Sequence, residues 1–145
     1  MNLNMKLPSN VKIKPTWWGV IPMLSRYTAN AIYPNIYMPK HVYDNLLSTT
    51  PKHEFVSVLL HEQEHIKREK QLGVIKFGLK YLFSPKFRFD EELEAIKPQM
   101  KYLKSIGKNF DTVKAAKYLS GWLYLWPVSY EHAKQVLDNT WEELK

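Results

Sequence analysis

The sequence predicts an α+β fold, and three observations carry that expectation. The first fifty residues hold five of the nine prolines, Pro8, Pro15, Pro22, Pro34 and Pro39, between short runs of β-forming residues. From Pro51 onward the chain reads as successive helical patterns punctuated by Gly73, Ser84, Asp90, Asp111 and Ser129. No strand-helix-strand alternation occurs, so strands and helices are segregated along the chain instead of building a parallel sheet.

The elements follow in order. Residues 17–21 and 31–38 predict short strands, expected to pair antiparallel, and 40–47 predicts a helical turn. Thr50 and Pro51 suit the N-cap and first position of a long helix that Gly73 would end. Its Phe55, Val56, Val58, Leu59 and Leu60 cover a broad face, so the first half is expected to be buried. A second helix spans 74–83 and stops at Ser84 and Pro85. Asp90 is the expected cap of a third, which Pro98 should kink or interrupt. Asp111 caps a fourth through 125, and Ser129 a fifth that runs to the end. In the fifth, Tyr130, Ala133, Val136, Leu137, Trp141 and Leu144 recur at helical spacing as a core-facing stripe. Short antiparallel strands and about five helices are thus expected in a single domain over 1–145.

Composition narrows the chemistry. Apolar residues at 45% and charged residues at 24% are those of a globular protein. The absence of cysteine excludes disulfides, thiolate zinc sites and Cys nucleophiles, so any metal must rest on histidines and carboxylates. The amino-terminal stretch lacks the apolar run and cleavage site of a secretory signal, which predicts a cytoplasmic or virion-associated protein. The most apolar run, 121–128, is far short of the roughly 20 residues that span a bilayer, so no transmembrane segment is expected. The net charge of +7 is densest at Lys67, Arg68, Lys70, Lys76, Lys80, Lys86 and Arg88. These residues alternate with apolar ones as on the wet faces of helices, which favours a solvated basic surface over a nucleic-acid site. An anionic surface such as the cell envelope is kept as the alternative partner.

The chemistry concentrates in HEQEH. His61 and His65 are four residues apart, so on a helix their imidazoles project from one face and reach one metal ion, expected to be Zn2+. A glutamate beside them can take the proton of a water whose pKa the metal lowers. Two readings are open: Glu62 gives HExxH, and Glu64 gives the inverted HxxEH. Glu62 is favoured as general base, because a compact chain with strands just upstream is the usual setting of HExxH. A catalytic zinc needs three protein ligands and an open position. Arg68 and Gln71 stand where the metzincin pattern requires glycine and histidine, so that subclass is excluded. The acidic run DEELEA at 90–95 is the nearest supplier of a third ligand. From His65 the helix runs about 10 Å to its end, and a ten-residue helix running back covers about 15 Å. The third helix can therefore start level with the histidines, with Glu91, Glu92 and Glu94 as candidates.

HEQEH followed by ELEA resembles the gluzincin metallopeptidases, particularly the membrane-protease-like and the phage or bacterial minigluzincin branches. The likeness rests on residues 55–96. It implies a small zincin-like domain in which a helical ExxA motif supplies the third zinc ligand, here Glu92 with Ala95. Many relatives carry Asp or Asn after the alanine, whereas Ile96 stands here and Pro98 soon follows, which leaves Glu91 and Glu94 as alternative ligands. The resemblance further implies that the segment AIYPNIYMP borders a cleft and offers its edge to an extended peptide. Packing of a small sheet by Ile32, Tyr33, Ile36 and Tyr37 is equally compatible. The expected activity is zinc-dependent hydrolysis of peptide bonds in a peptide or protein substrate. The alternative is a non-catalytic zincin-like structural or binding protein, a virion component or an envelope binder. His132, Tyr102, Tyr124 and Arg88 are the candidates for oxyanion stabilisation. His41 and His53 are expected at the surface.

Overall fold

The computed structural model describes residues 6–21 and 28–144 and divides into two compact units, Met1–Val74 and Ile75–Lys145. Pro22, and the start of the segment read for a secretory signal, lie outside the described residues. The class is α+β: a small three-stranded sheet precedes six helices.

The first unit contains β1 (Val11–Ile13), a 3-10 turn (Thr16–Val20), β2 (Asn30–Ile32), β3 (Asn35–Met38), α1 (Lys40–Leu46) and α2 (His53–Leu72). The strand order is β1-β3-β2, with β3 antiparallel to β2 and parallel to β1. The sheet is therefore mixed and not wholly antiparallel. A two-residue link holds β2 against β3 as a hairpin, whereas the long stretch after β1 lets the chain cross over before it pairs. Alternation along β3 buries Ile36 and Met38, which join Val11, Val42, Leu46 and Leu59 in the core of this unit.

Two local expectations are corrected here. Residues 17–21 are not a strand: Trp18 N–H donates to the Pro15 carbonyl at 3.2 Å, and the Trp18 ring packs on Tyr37 with centroids 4.7 Å apart. That packing overrides the β propensity of the run. The long helix starts at His53, because Lys52 N–H donates to Asn45 Oδ1 at 2.9 Å and holds the Thr50–Pro51 link against the end of α1. Its end is as expected. Gly73 has φ 92, a value that favours glycine, and its N–H caps the Glu69 carbonyl at 2.8 Å.

The second unit carries α3 (Val74–Phe83) from its second residue onward, α4 (Pro85–Ser105), α5 (Thr112–Leu119), a 3-10 turn (Trp122–Tyr124) and α6 (Tyr130–Glu143). The cap of α4 is Ser84, whose Oγ accepts from Phe87 N–H at 3.2 Å with Pro85 in the first turn. Asp90 is not a cap; it sits inside the helix and pairs with Lys86 at 2.6 Å. The helix also runs unbroken through Pro98, which removes only one backbone donor. α5 stops at Leu119, short of 125, and a Cβ at Gly121 would lie 2.9 Å from the Lys117 carbonyl. The core of this unit is Phe89, Ile96, Met100, Ala116, Leu119, Ala133 and Leu137. The stripe expected on α6 packs into it. Among the described residues no helix is long and apolar enough to cross a membrane.

Candidate metal centre

The buried positions of α2 are Ser57, Leu59, Glu62, His65 and Glu69. From Glu62 onward, the spacing that normally carries Leu and Val into a core carries a carboxylate, an imidazole and a carboxylate. Burying such groups is costly unless they are paired or bind an ion. Their partners therefore indicate what the stripe does.

His61 and His65 turn their Nε2 atoms to within 3.1 Å of each other, with the rings inclined at 73°. A tetrahedral zinc ion with Zn–N of about 2.0–2.1 Å sets two ligand nitrogens about 3.3 Å apart. The pair thus fits two neighbouring corners of such a site. His65 is buried down to its Nδ1, and His61 is partly exposed.

The two glutamates of HEQEH lie in different surroundings. Glu62 is buried, while Glu64 faces outward and pairs with Lys67 at 3.1 Å. Lys14, also buried, faces Glu62 electrostatically and donates through Nζ to the Thr28 carbonyl at 2.6 Å and to Asn30 Oδ1. Burial lowers the Lys14 ammonium to about 8, against the opposing attraction of Glu62. Glu69 lies one turn beyond His65, and its Oε2 accepts the Tyr33 N–H at 2.5 Å. Burial raises the Glu69 carboxyl above its ordinary value; the Tyr33 hydrogen bond and His65 oppose that rise, and Glu62 adds to it.

Within the second unit, Glu92 is buried on α4 and its Oε1 accepts the Tyr81 hydroxyl at 2.5 Å. Ala95, one turn on and fully buried, adds no bulk to that face. Of the alternatives, Glu91 is also buried, whereas Glu94 pairs with Lys97 at 2.5 Å near the surface. A carboxylate held by a tyrosine hydroxyl has the support that ligating carboxylates need to keep their orientation.

The oxyanion candidates divide. Arg88 is buried, with Nε on the Tyr124 carbonyl at 2.7 Å and Nη1 on the carbonyls of Tyr81 and Leu82. Tyr124 is the acceptor in that arrangement. Tyr102 is half-buried, and burial raises its phenol pKa. His132 is exposed at the start of α6, with its ring 5.6 Å from that of Phe89. His41 and His53 are exposed, as expected.

Sequence reasoning missed Lys14, Glu69 and Tyr81. Glu69 had a signal, since it continues the 62, 65, 69 stripe of α2. Lys14 and Tyr81 had none, because each meets its carboxylate through the fold. Comparison with protein-family models, with curated proteins and with solved structures found no match.

Proposed function

We propose that this chain is a zinc metallopeptidase of the HExxH type, with His61 and His65 as zinc ligands, Glu62 as general base and, as the resemblance of ELEA to the gluzincin motif implies, Glu92 as the third ligand. The observation that carries the reading is the 3.1 Å approach of the His61 and His65 Nε2 atoms on a buried face of α2. When bound, zinc supplies Lewis acidity toward a carbonyl oxygen and lowers the pKa of water.

The chain's own residues divide the remaining work. Glu62 takes the proton of the attacking water on a carboxylate oxygen and passes it to the leaving amine. Lys14 brings a positive charge within electrostatic reach of that carboxylate. Glu69 lies one turn beyond His65 on the same buried stripe, and the Tyr81 hydroxyl orients Glu92.

Metal analysis of protein purified without chelator tests the ligand set, with about one equivalent of zinc expected. Less than about a tenth of an equivalent, unchanged after zinc is added, rejects it. Cleavage of a peptide library by the zinc-loaded protein tests the activity. Stoichiometric zinc without any cleavage would leave the non-catalytic binding or virion-structural reading in its place.

A further inference from the structure

The second unit turns several large apolar side chains outward. On α3, Phe77 and Tyr81 face inward, where their rings stack with centroids 5.7 Å apart and Tyr81 reaches Glu92. The larger apolar face of the helix points the other way: Ile75 is 80% exposed and Phe83 75%, with Leu79 and Leu82 also exposed between them. Positions 75, 79 and 82 fall on one stripe of a helix, and Lys76 and Lys80 lie along its flank.

A second exposed apolar segment adjoins the first. Trp122 and Trp126 are 62% and 67% exposed around the 3-10 turn. The Arg88 guanidinium binds the Tyr124 carbonyl of that turn together with the Tyr81 and Leu82 carbonyls at the end of α3. One buried cation therefore holds the two segments close together, and each of them presents exposed apolar residues.

Charge indicates what covers it. No Asp or Glu occurs from Ile75 to Phe89 or from Thr112 to Tyr130, and these two stretches carry the exposed Lys76, Lys80, Lys86, Lys114 and Lys117. Apolar side chains with tryptophans, ringed by lysines whose stems can extend past them, match a lipid interface with anionic headgroups. We propose that the α3 face and the Trp122–Tyr124 turn dock this protein peripherally on an anionic phospholipid surface. The docking lies parallel to the surface, since no helix among the described residues is long and apolar enough to cross it.

The test is sedimentation of the full-length protein with vesicles of phosphatidylcholine, alone or mixed with phosphatidylglycerol. Binding to the mixed vesicles only, weakened by salt, is expected. Ile75→Gln with Leu79→Gln should weaken binding at least about tenfold. Lys76→Glu with Lys80→Glu should weaken it about twentyfold or more. All four positions are exposed, and circular dichroism checks the fold; the charge pair alone decides if the glutamine pair unfolds. Trp17→Ser, in the other unit, should bind as wild type does. The proposal is overturned by absence of binding, by equal binding to neutral vesicles, or by α3 variants that bind like wild type. It is also overturned if wild type ignores vesicles but self-associates through the same residues.

Discussion

The Glu69 carboxylate accepts the backbone N–H of Tyr33 at 2.5 Å, fastening the last turns of α2 to the link between β2 and β3. The bond joins residues 36 positions apart, and it is made by a buried carboxyl whose pKa burial raises. Removing the acceptor leaves that N–H without a partner, so Glu69→Ala should cost about 2 kcal/mol in urea unfolding. Glu69→Gln keeps an acceptor and should cost less. An alanine variant as stable as wild type would show that the contact contributes nothing.

Glu62 and Glu64 should respond oppositely to the same change. Glu62→Gln should lower peptide turnover by about 10²- to 10⁴-fold while zinc content stays at the wild-type level. Glu64→Gln removes only a surface pair with Lys67 and should stay near wild-type rate and stability. Full activity in Glu62→Gln, with loss in Glu64→Gln, would transfer the role of base to Glu64.

Tyr81 reports on whether Glu92 is a ligand. Tyr81→Phe deletes one hydroxyl and keeps the ring stacked on Phe77. Competition against a chelator should then show zinc affinity reduced about 10- to 100-fold. Unchanged affinity would separate Glu92 from the metal.

Lys14 makes stability depend on pH. Its pKa is lowered from 10.5 to about 8, chiefly by burial, so between those values the folded chain binds fewer protons than the unfolded one. Stability from this group therefore rises with pH above about 8 and levels off near 10.5. Urea midpoints measured at increasing pH should rise more steeply for wild type than for Lys14→Met. Parallel curves would mean that Lys14 keeps an ordinary pKa.

Two glycines give a paired control on packing. Nothing lies within 4 Å of a Cβ built at Gly78 in the exposed middle of α3, so Gly78→Ala should stabilise by about 0.5–1 kcal/mol. Gly121→Ala meets the Lys117 carbonyl at 2.9 Å and should destabilise by about 1–3 kcal/mol. Thermal denaturation of both variants checks the signs.

The sequence by itself determined the segregation of strands and helices, the end of α2 at Gly73, the inward stripe of α6 and the placing of His61 and His65 on one helical face. Each of these follows from spacing within a few residues, and local spacing is written in the order of the chain. Tertiary structure alone decided that Trp17 to Val20 is a 3-10 turn, because the Trp18 ring finds Tyr37 at a distance no local pattern records. It also decided that β1 runs parallel to β3, that Ser84 caps α4, and that Glu62 is buried while Glu64 is paired outside. The burial of Lys14 and the Tyr81 hydroxyl on Glu92 belong with these. Burial and pairing depend on what the rest of the chain brings alongside, and that information is shared among residues far apart. The histidine pair was legible because a helix brings residues four apart together by its own geometry.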